Sequence, residues 1–146
     1  MNSFESVDRP LTMSKMAVNK SVLDASALLA YLFDEPGAEI VAKLLDAGNA
    51  LVSSVNYAET VSKLIDRKMP EEVVKITMEN LGLEVVSYDE QQALLTGFFR
   101  KSCLSYGLSL GDRACFALAR VNNFPVLTAD RVWKEVSLGI EVSLIR

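Results

Sequence analysis

From Lys20 onward, short apolar runs alternate with longer stretches whose apolar residues recur every three to four positions. Ser21 to Asp24 reads as a short buried strand, Ala25 to Phe33 as a helix, and Asp34-Glu35-Pro36-Gly37 as a break. A second helix covers Ala38 to Ala47 and stops at Gly48-Asn49, residues suited to a left-handed helix end. Ala50 to Ser53 predicts the second strand. Asn56 to Lys68 predicts a helix with Ala58, Val61, Leu64, Ile65 and Lys68 on or near its inner face. Pro70 suits the first position of the next helix, where Glu71 and Glu72 favour the N-terminal dipole. Leu83 to Val86 predicts a third strand, and Asp89 with Gln92 resembles a capping box opening a helix to about Lys101. Ser109 and Asp112 form a second such box, opening a helix through Asn122. Pro125 to Thr128, Arg131 to Ser137 and Glu141 to Leu144 follow as strand, short helix and strand.

This alternation implies an α/β domain with a mostly parallel five-stranded sheet, covered by helices on both faces. In such sheets ligands bind beyond the carboxyl ends of the strands, and Asp24 and Asp130 lie at two of those ends. Residues 1–19 show no sustained period. They are expected to form a flexible arm before a single domain over 20–146.

Composition narrows the chemistry. With 146 residues, half of them apolar and 23% charged, the chain can bury a real core. No apolar run is long enough to span a bilayer and the N-terminus lacks a signal-peptide core, so a cytoplasmic protein is expected. Cys103 and Cys115 lack metal-ligand spacing and read as free, packing thiols. A formal net charge of −4 argues against a broad cationic surface for nucleic acid. It leaves room for a nuclease, because bound metal and a few local arginines can reverse the potential at a site.

The chain contains no histidine, which removes Ser-His and Cys-His nucleophile pairs. What stands out is four carboxylates, Asp24, Glu59, Asp112 and Asp130, all at strand ends or in first helical turns. Gathered together, they would make an all-oxygen cage suited to Mg²⁺ or Mn²⁺. Each has a plainer explanation alone. Asp24 and Asp130 suit helix N-caps, Asp112 its capping box, and Glu59 a solvated ion pair with Lys63 four residues on. Ser26, Asn56 and Thr128 sit where their polar groups could orient those carboxylates, or simply cap a turn.

The stretches Val22-Leu23-Asp24-Ala25-Ser26-Ala27-Leu28-Leu29-Ala30, Asn56-Tyr57-Ala58-Glu59, Leu108-Ser109-Leu110-Gly111-Asp112-Arg113-Ala114-Cys115 and Val126-Leu127-Thr128-Ala129-Asp130 occur in this order. Together they resemble a PIN-domain ribonuclease, and within that family the toxins of VapBC toxin–antitoxin pairs. The resemblance covers about residues 20 to 146. It implies a three-layer α/β/α fold in which Asp24, Glu59 and Asp112 match the main acidic triad and Asp130 the fourth acid. It further implies Mg²⁺- or Mn²⁺-dependent cleavage of RNA. The partners it implies are a second copy of the chain and an antitoxin whose C-terminal segment, basic and apolar, covers the site.

On that basis Asp24 and Asp112 are the best direct ligands, Glu59 ligates directly or through a water, and Asp130 is a ligand or an outer holder. Arg113, Arg131 and Lys134 are candidates for the RNA backbone, although their spacing makes no basic stripe and solvated helix charge explains them as well. Tyr31, Phe33, Phe98, Phe99, Phe116 and Trp133 suit base stacking less than core or subunit contacts. Four rivals remain: a housekeeping nuclease without antitoxin, a PIN-like binding scaffold, a phosphatase or DNA nuclease built on the same metal and carboxylates, and a signalling receiver domain. The last requires paired acids after the first strand and a lysine after the last, whereas Ala25 follows Asp24 and no lysine follows Lys134.

Overall fold

The computed structural model describes residues 19–146, so nearly all of the expected arm lies outside the described residues. The elements run β1 (Ser21–Leu23), α1 (Ala25–Leu32), α2 (Ala38–Ala47), β2 (Ala50–Ser53), α3 (Ser54–Asp66) and α4 (Glu71–Glu79). They continue with β3 (Glu84–Val86), α5 (Glu90–Phe98), α6 (Arg100–Cys103), α7 (Leu110–Asn122), β4 (Val126–Thr128) and β5 (Val142–Leu144). Short 3-10 turns cover Leu104–Tyr106 and Arg131–Glu135.

All five strands pair in parallel in the order β3-β2-β1-β4-β5. The chain first builds outward from β1 to β3, then returns to β1's other side with β4. That reversal leaves a crevice between β1 and β4 at their carboxyl ends, where open α/β sheets bind ligands. A receiver domain orders its strands 2-1-3-4-5, so the topology removes that rival.

The central strands are buried on both faces. Val22, Leu51 and Val126 point into one core with Cys115, Phe116 and Trp133, beneath α5 and α7. Their neighbours Leu23, Val52 and Leu127 point the other way, against Leu28, Val41 and Leu44 of α1 and α2. Phe116 and Trp133 stack with ring centroids 4.6 Å apart, and both are buried. A third, smaller cluster of Leu64, Val74 and Met78 joins α3 to α4.

Local departures from the expected pattern have specific causes. Of the expected inner face of α3 only Leu64 is buried, beside Asn56 and Thr60, while Ala58, Ile65 and Lys68 are exposed. Thr60 satisfies itself on the Asn56 carbonyl at 2.8 Å, so polar residues occupy the buried stripe. Pro70 is the N-cap of α4 instead of its first residue. The Asp89 helix stops at Phe98, with only half the expected box: Asp89 caps Gln92 N, but the Gln92 side chain turns to the Ser87 carbonyl. Of the segment Arg131 to Ser137 only Arg131–Glu135 is helical, and it forms a 3-10 turn instead of an α-helix. Both cysteines are free and buried, as expected.

Candidate active site

The register of β1 on β4 pairs Leu23 with Leu127, so the next residues, Asp24 and Thr128, emerge side by side. Asp24 is buried at 4% exposure and caps α1, its Oδ1 accepting from Ala27 N at 2.9 Å. Ser26 Oγ donates to Oδ1 and Oδ2 at 2.8 and 2.9 Å, and Thr128 Oγ1 donates to Oδ2 at 2.8 Å. Ser26 Oγ in turn accepts from Ala129 N, and Thr128 Oγ1 from Asp130 N. One hydroxyl pair thus ties the end of β1 to the end of β4 and orients the carboxylate between them.

Asp112 closes the expected capping box: its Oδ2 accepts from Ser109 N at 2.9 Å while Ser109 Oγ accepts from Asp112 N at 3.1 Å. Asp130 Oδ1 accepts from Val132 N. On α3, which touches both α1 and α7, Asn56 Nδ2 donates to the Gly111 carbonyl at 3.0 Å and reaches Glu59 Oε1 at 3.4 Å. The ion pair expected between Glu59 and Lys63 does not form. Asp112, Asp130 and Glu59 therefore each keep one carboxylate oxygen without a hydrogen bond among the described residues.

Two of these acids, Asp24 and Asp112, are held above the ordinary carboxylate range. Burial pushes the Asp24 carboxyl up to about 6, against the donors Ala27, Thr128 and Ser26, and Asp112 adds to the rise. Asp112 is raised too, first by burial and also by Asp130, although Ser109 and Arg113 oppose this. Cys115, in the wall beneath, is pushed well above its ordinary value by burial and then by Asp24, Asp112 and Glu59. Among the described residues none of the four acids has a cationic partner within ion-pair distance.

This is a donor set for a hard divalent cation: oxygen ligands only, uncompensated negative charge, and a buried Asn56 Oδ1 that lacks any donor. As the side chains stand, no three acids among the described residues are close enough to grip an ion together. The chemistry of the donors fits a cation, although their present spacing does not surround one.

A family model described as PIN domain matches residues 21–138. The chain belongs to the PIN domain family. Comparison with curated proteins finds no significant match in sequence. Among solved structures it is similar to the DNA-bound VapBC complex from Salmonella typhimurium, at 20% identity and a TM-score of 0.70, covering 88% of this chain and 99% of that one. It is also similar to VapBC-1 from nontypeable Haemophilus influenzae, at 20% identity and TM-score 0.67, with 86% and 97% covered. A toxin–antitoxin complex from Klebsiella pneumoniae shares the fold at 15% identity and TM-score 0.66, with 87% and 98% covered. All four acids fall within the PIN match.

Two features of this PIN domain escape the sequence. Arg113, a candidate for the RNA backbone, is instead buried at 7% exposure and donates to the Thr96 carbonyl at 2.9 Å, clamping α7 to α5. Arg131 and Lys134 do stay exposed, in the turn after Asp130. Gly111 carries no chemistry of its own, yet a Cβ there would stand 3.0 Å from Glu59 Oε1 and 3.6 Å from Asn56 Nδ2. Its one signal in the sequence is a glycine immediately before an acid at a helix start. Gly111→Ala should leave the melting temperature near wild type or raise it slightly, since alanine gains up to about 1 kcal/mol in a helix. It should nevertheless cut activity roughly tenfold or more by displacing Glu59, which steady-state cleavage assays would show.

Proposed function

We propose that the chain is a Mg²⁺- or Mn²⁺-dependent endoribonuclease and the toxin of a toxin–antitoxin pair, with residues 20–146 as its catalytic domain. PIN domains are nucleases, and the carrying observation is Asp24, buried beside Thr128 in the β1–β4 crevice and coupled to Asp112. Asp24 and Asp112 would hold the cation, Glu59 would hold it directly or through water, and Asp130 would stand at its edge. When bound there, the ion supplies a Lewis acid for a phosphate oxygen and lowers the pKa of a water.

The remaining work falls to the chain. Ser26 and Thr128 fix the Asp24 carboxylate in one orientation. Asn56 reaches Glu59 Oε1 beside Gly111, and Glu59 Oε2, which makes no hydrogen bond among the described residues, would take the proton of the attacking water. Burial of Asp24 and Thr128 strengthens the hydrogen bond between them.

The VapBC likenesses support an antitoxin partner. A groove of about 370 Å³ between α3 and α4, lined by Tyr57, Val61, Ile65, Val74 and Met78, suits the apolar part of such a segment. A basic residue of the segment would pair with Glu59 or Asp112. Exposed Leu94, Phe98, Leu104 and Leu110 form the surface we assign to a second copy, a dimer that sedimentation would detect.

The test is cleavage of single-stranded RNA by partner-free protein: absent in EDTA, restored by Mg²⁺ or Mn²⁺. Equal cutting without metal would refute the mechanism. Growth arrest on expression, relieved by the neighbouring gene's product, tests the toxin role; a harmless chain with no binding neighbour would leave a housekeeping nuclease.

A further inference from the structure

A cleft of about 260 Å³ lies between α1 and α3, lined by Ser26, Phe33, Lys63, Asp66, Arg67 and Arg146 among others. Ser26 belongs both to this cleft and to the Asp24 cluster, so the two adjoin. Its charged lining is three cations, Lys63, Arg67 and Arg146, against two acids, Glu35 and Asp66, a net positive charge in a chain of net charge −4. Arg146 is engaged, its Nη1 bonding Glu35 Oε1 at 3.3 Å and the Pro36 carbonyl at 3.0 Å. Lys63 and Arg67 have no ion-pair partner among the described residues. Against the acid Asp66 they leave the cleft net positive.

Lys63 and Arg67 also follow Glu59 at intervals of four, so the three form one stripe along α3 and its C-cap. Each interval advances about 6 Å along the helix axis, a stride comparable with that between successive phosphates of an extended strand. Arg67 is held in place, its guanidinium 4.1 Å from the centroid of the Phe33 ring. A cation already fixed over an aromatic face loses less entropy when it binds a phosphate than a free side chain does.

The geometry points to this cleft as a binding site for the RNA strand on one side of the scissile bond, with Lys63 and Arg67 each taking one phosphate. Glu59 begins the stripe at the acids and Arg67 ends it, which sets the path of the strand away from them. This inference rests on the ribonuclease assignment and adds to it a substrate path absent from the four acids.

The experiment is fluorescence anisotropy of a labelled single-stranded oligoribonucleotide over a range of salt, with Asp112→Asn in every protein to stop cleavage. Each phosphate contact adds about 0.7 to the slope of log K against log salt for single strands. Lys63→Gln with Arg67→Gln should lower the slope by about 1.4 and weaken binding at least tenfold at low salt. Lys43→Gln, at an exposed position of α2, should change neither. Arg67→Lys should keep its share of the slope. A double variant with unchanged slope overturns the inference while the ribonuclease assignment stands. Loss of affinity for an oligoglutamate peptide, with RNA binding intact, would overturn it too and make the cleft a protein-docking site. If the parent protein binds no RNA at all, both fail together.

Discussion

Replacing Asp24 or Asp112 by asparagine should lower RNA cleavage by roughly a hundredfold or more at saturating Mn²⁺. Groups that merely orient a metal ligand cost about 10–100-fold when removed, so a direct ligand should cost at least the upper end of that range. Asparagine preserves size and can still accept the backbone bond that each carboxylate makes, from Ala27 N or Ser109 N, so the fold should survive. Ser109→Ala gives the contrast. It removes the capping hydroxyl, at about 1 kcal/mol, but leaves the Asp112 carboxylate and should retain most activity. Near-normal turnover by Asp112→Asn, or equal losses in all three variants, would show that these acids are caps and nothing more.

The second large effect is on stability, and its sign depends on pH. The Asp24 carboxyl rises from its ordinary 3.8 to about 6 in the folded protein because burial disfavours its charge. Well below that ordinary value it is protonated in both states and costs the fold nothing. As pH climbs toward 6 the unfolded chain gives up the proton first, and stability falls. By neutral pH the cumulative loss is roughly 3 kcal/mol. Asp24→Asn has no such titration, so in EDTA at about pH 7.5 it should melt several degrees above wild type. The gap should close near about pH 4. Mg²⁺ should then stabilise wild type more than the variant. A variant that melts lower at every pH would mean that the hydrogen bonds of Asp24 outweigh its buried charge.

Much of the site is legible in the chain because carboxylate placement obeys two rules at once. Asp24, Asp112 and Asp130 read from sequence as helix caps, and each serves a helix or turn start in that way. The same geometry that caps a helix after a strand also delivers the carboxylate to the strand's carboxyl end, so for Asp24 and Asp130 capping and a place at the crevice are not alternatives. The strand runs are equally plain, since strands buried on both faces leave uninterrupted apolar stretches.

What stays hidden depends on contacts between distant elements. The phase of α3 cannot be read from its apolar residues, because the buried stripe carries Asn56 and Thr60, whose polarity is met by Gly111 and by the helix itself. Arg113 looks like a surface cation because its partner, the Thr96 carbonyl, is a backbone atom with no sequence signature. Gly111 matters for the space it leaves rather than for anything it carries.

The bond from Thr128 to Asp24 joins residues 104 positions apart, across the two central strands. Contacts of such separation form late, because the intervening chain must be ordered before they repay the entropy of closing it. During synthesis the consequence is sharper still. A growing chain possesses Asp24 and Glu59 long before β4 exists, and until Thr128 clears the ribosome there is no crevice for either to line. The proposed ribonuclease would therefore stay inactive until β4 has been made and folded against β1, a delay that requires no inhibitor.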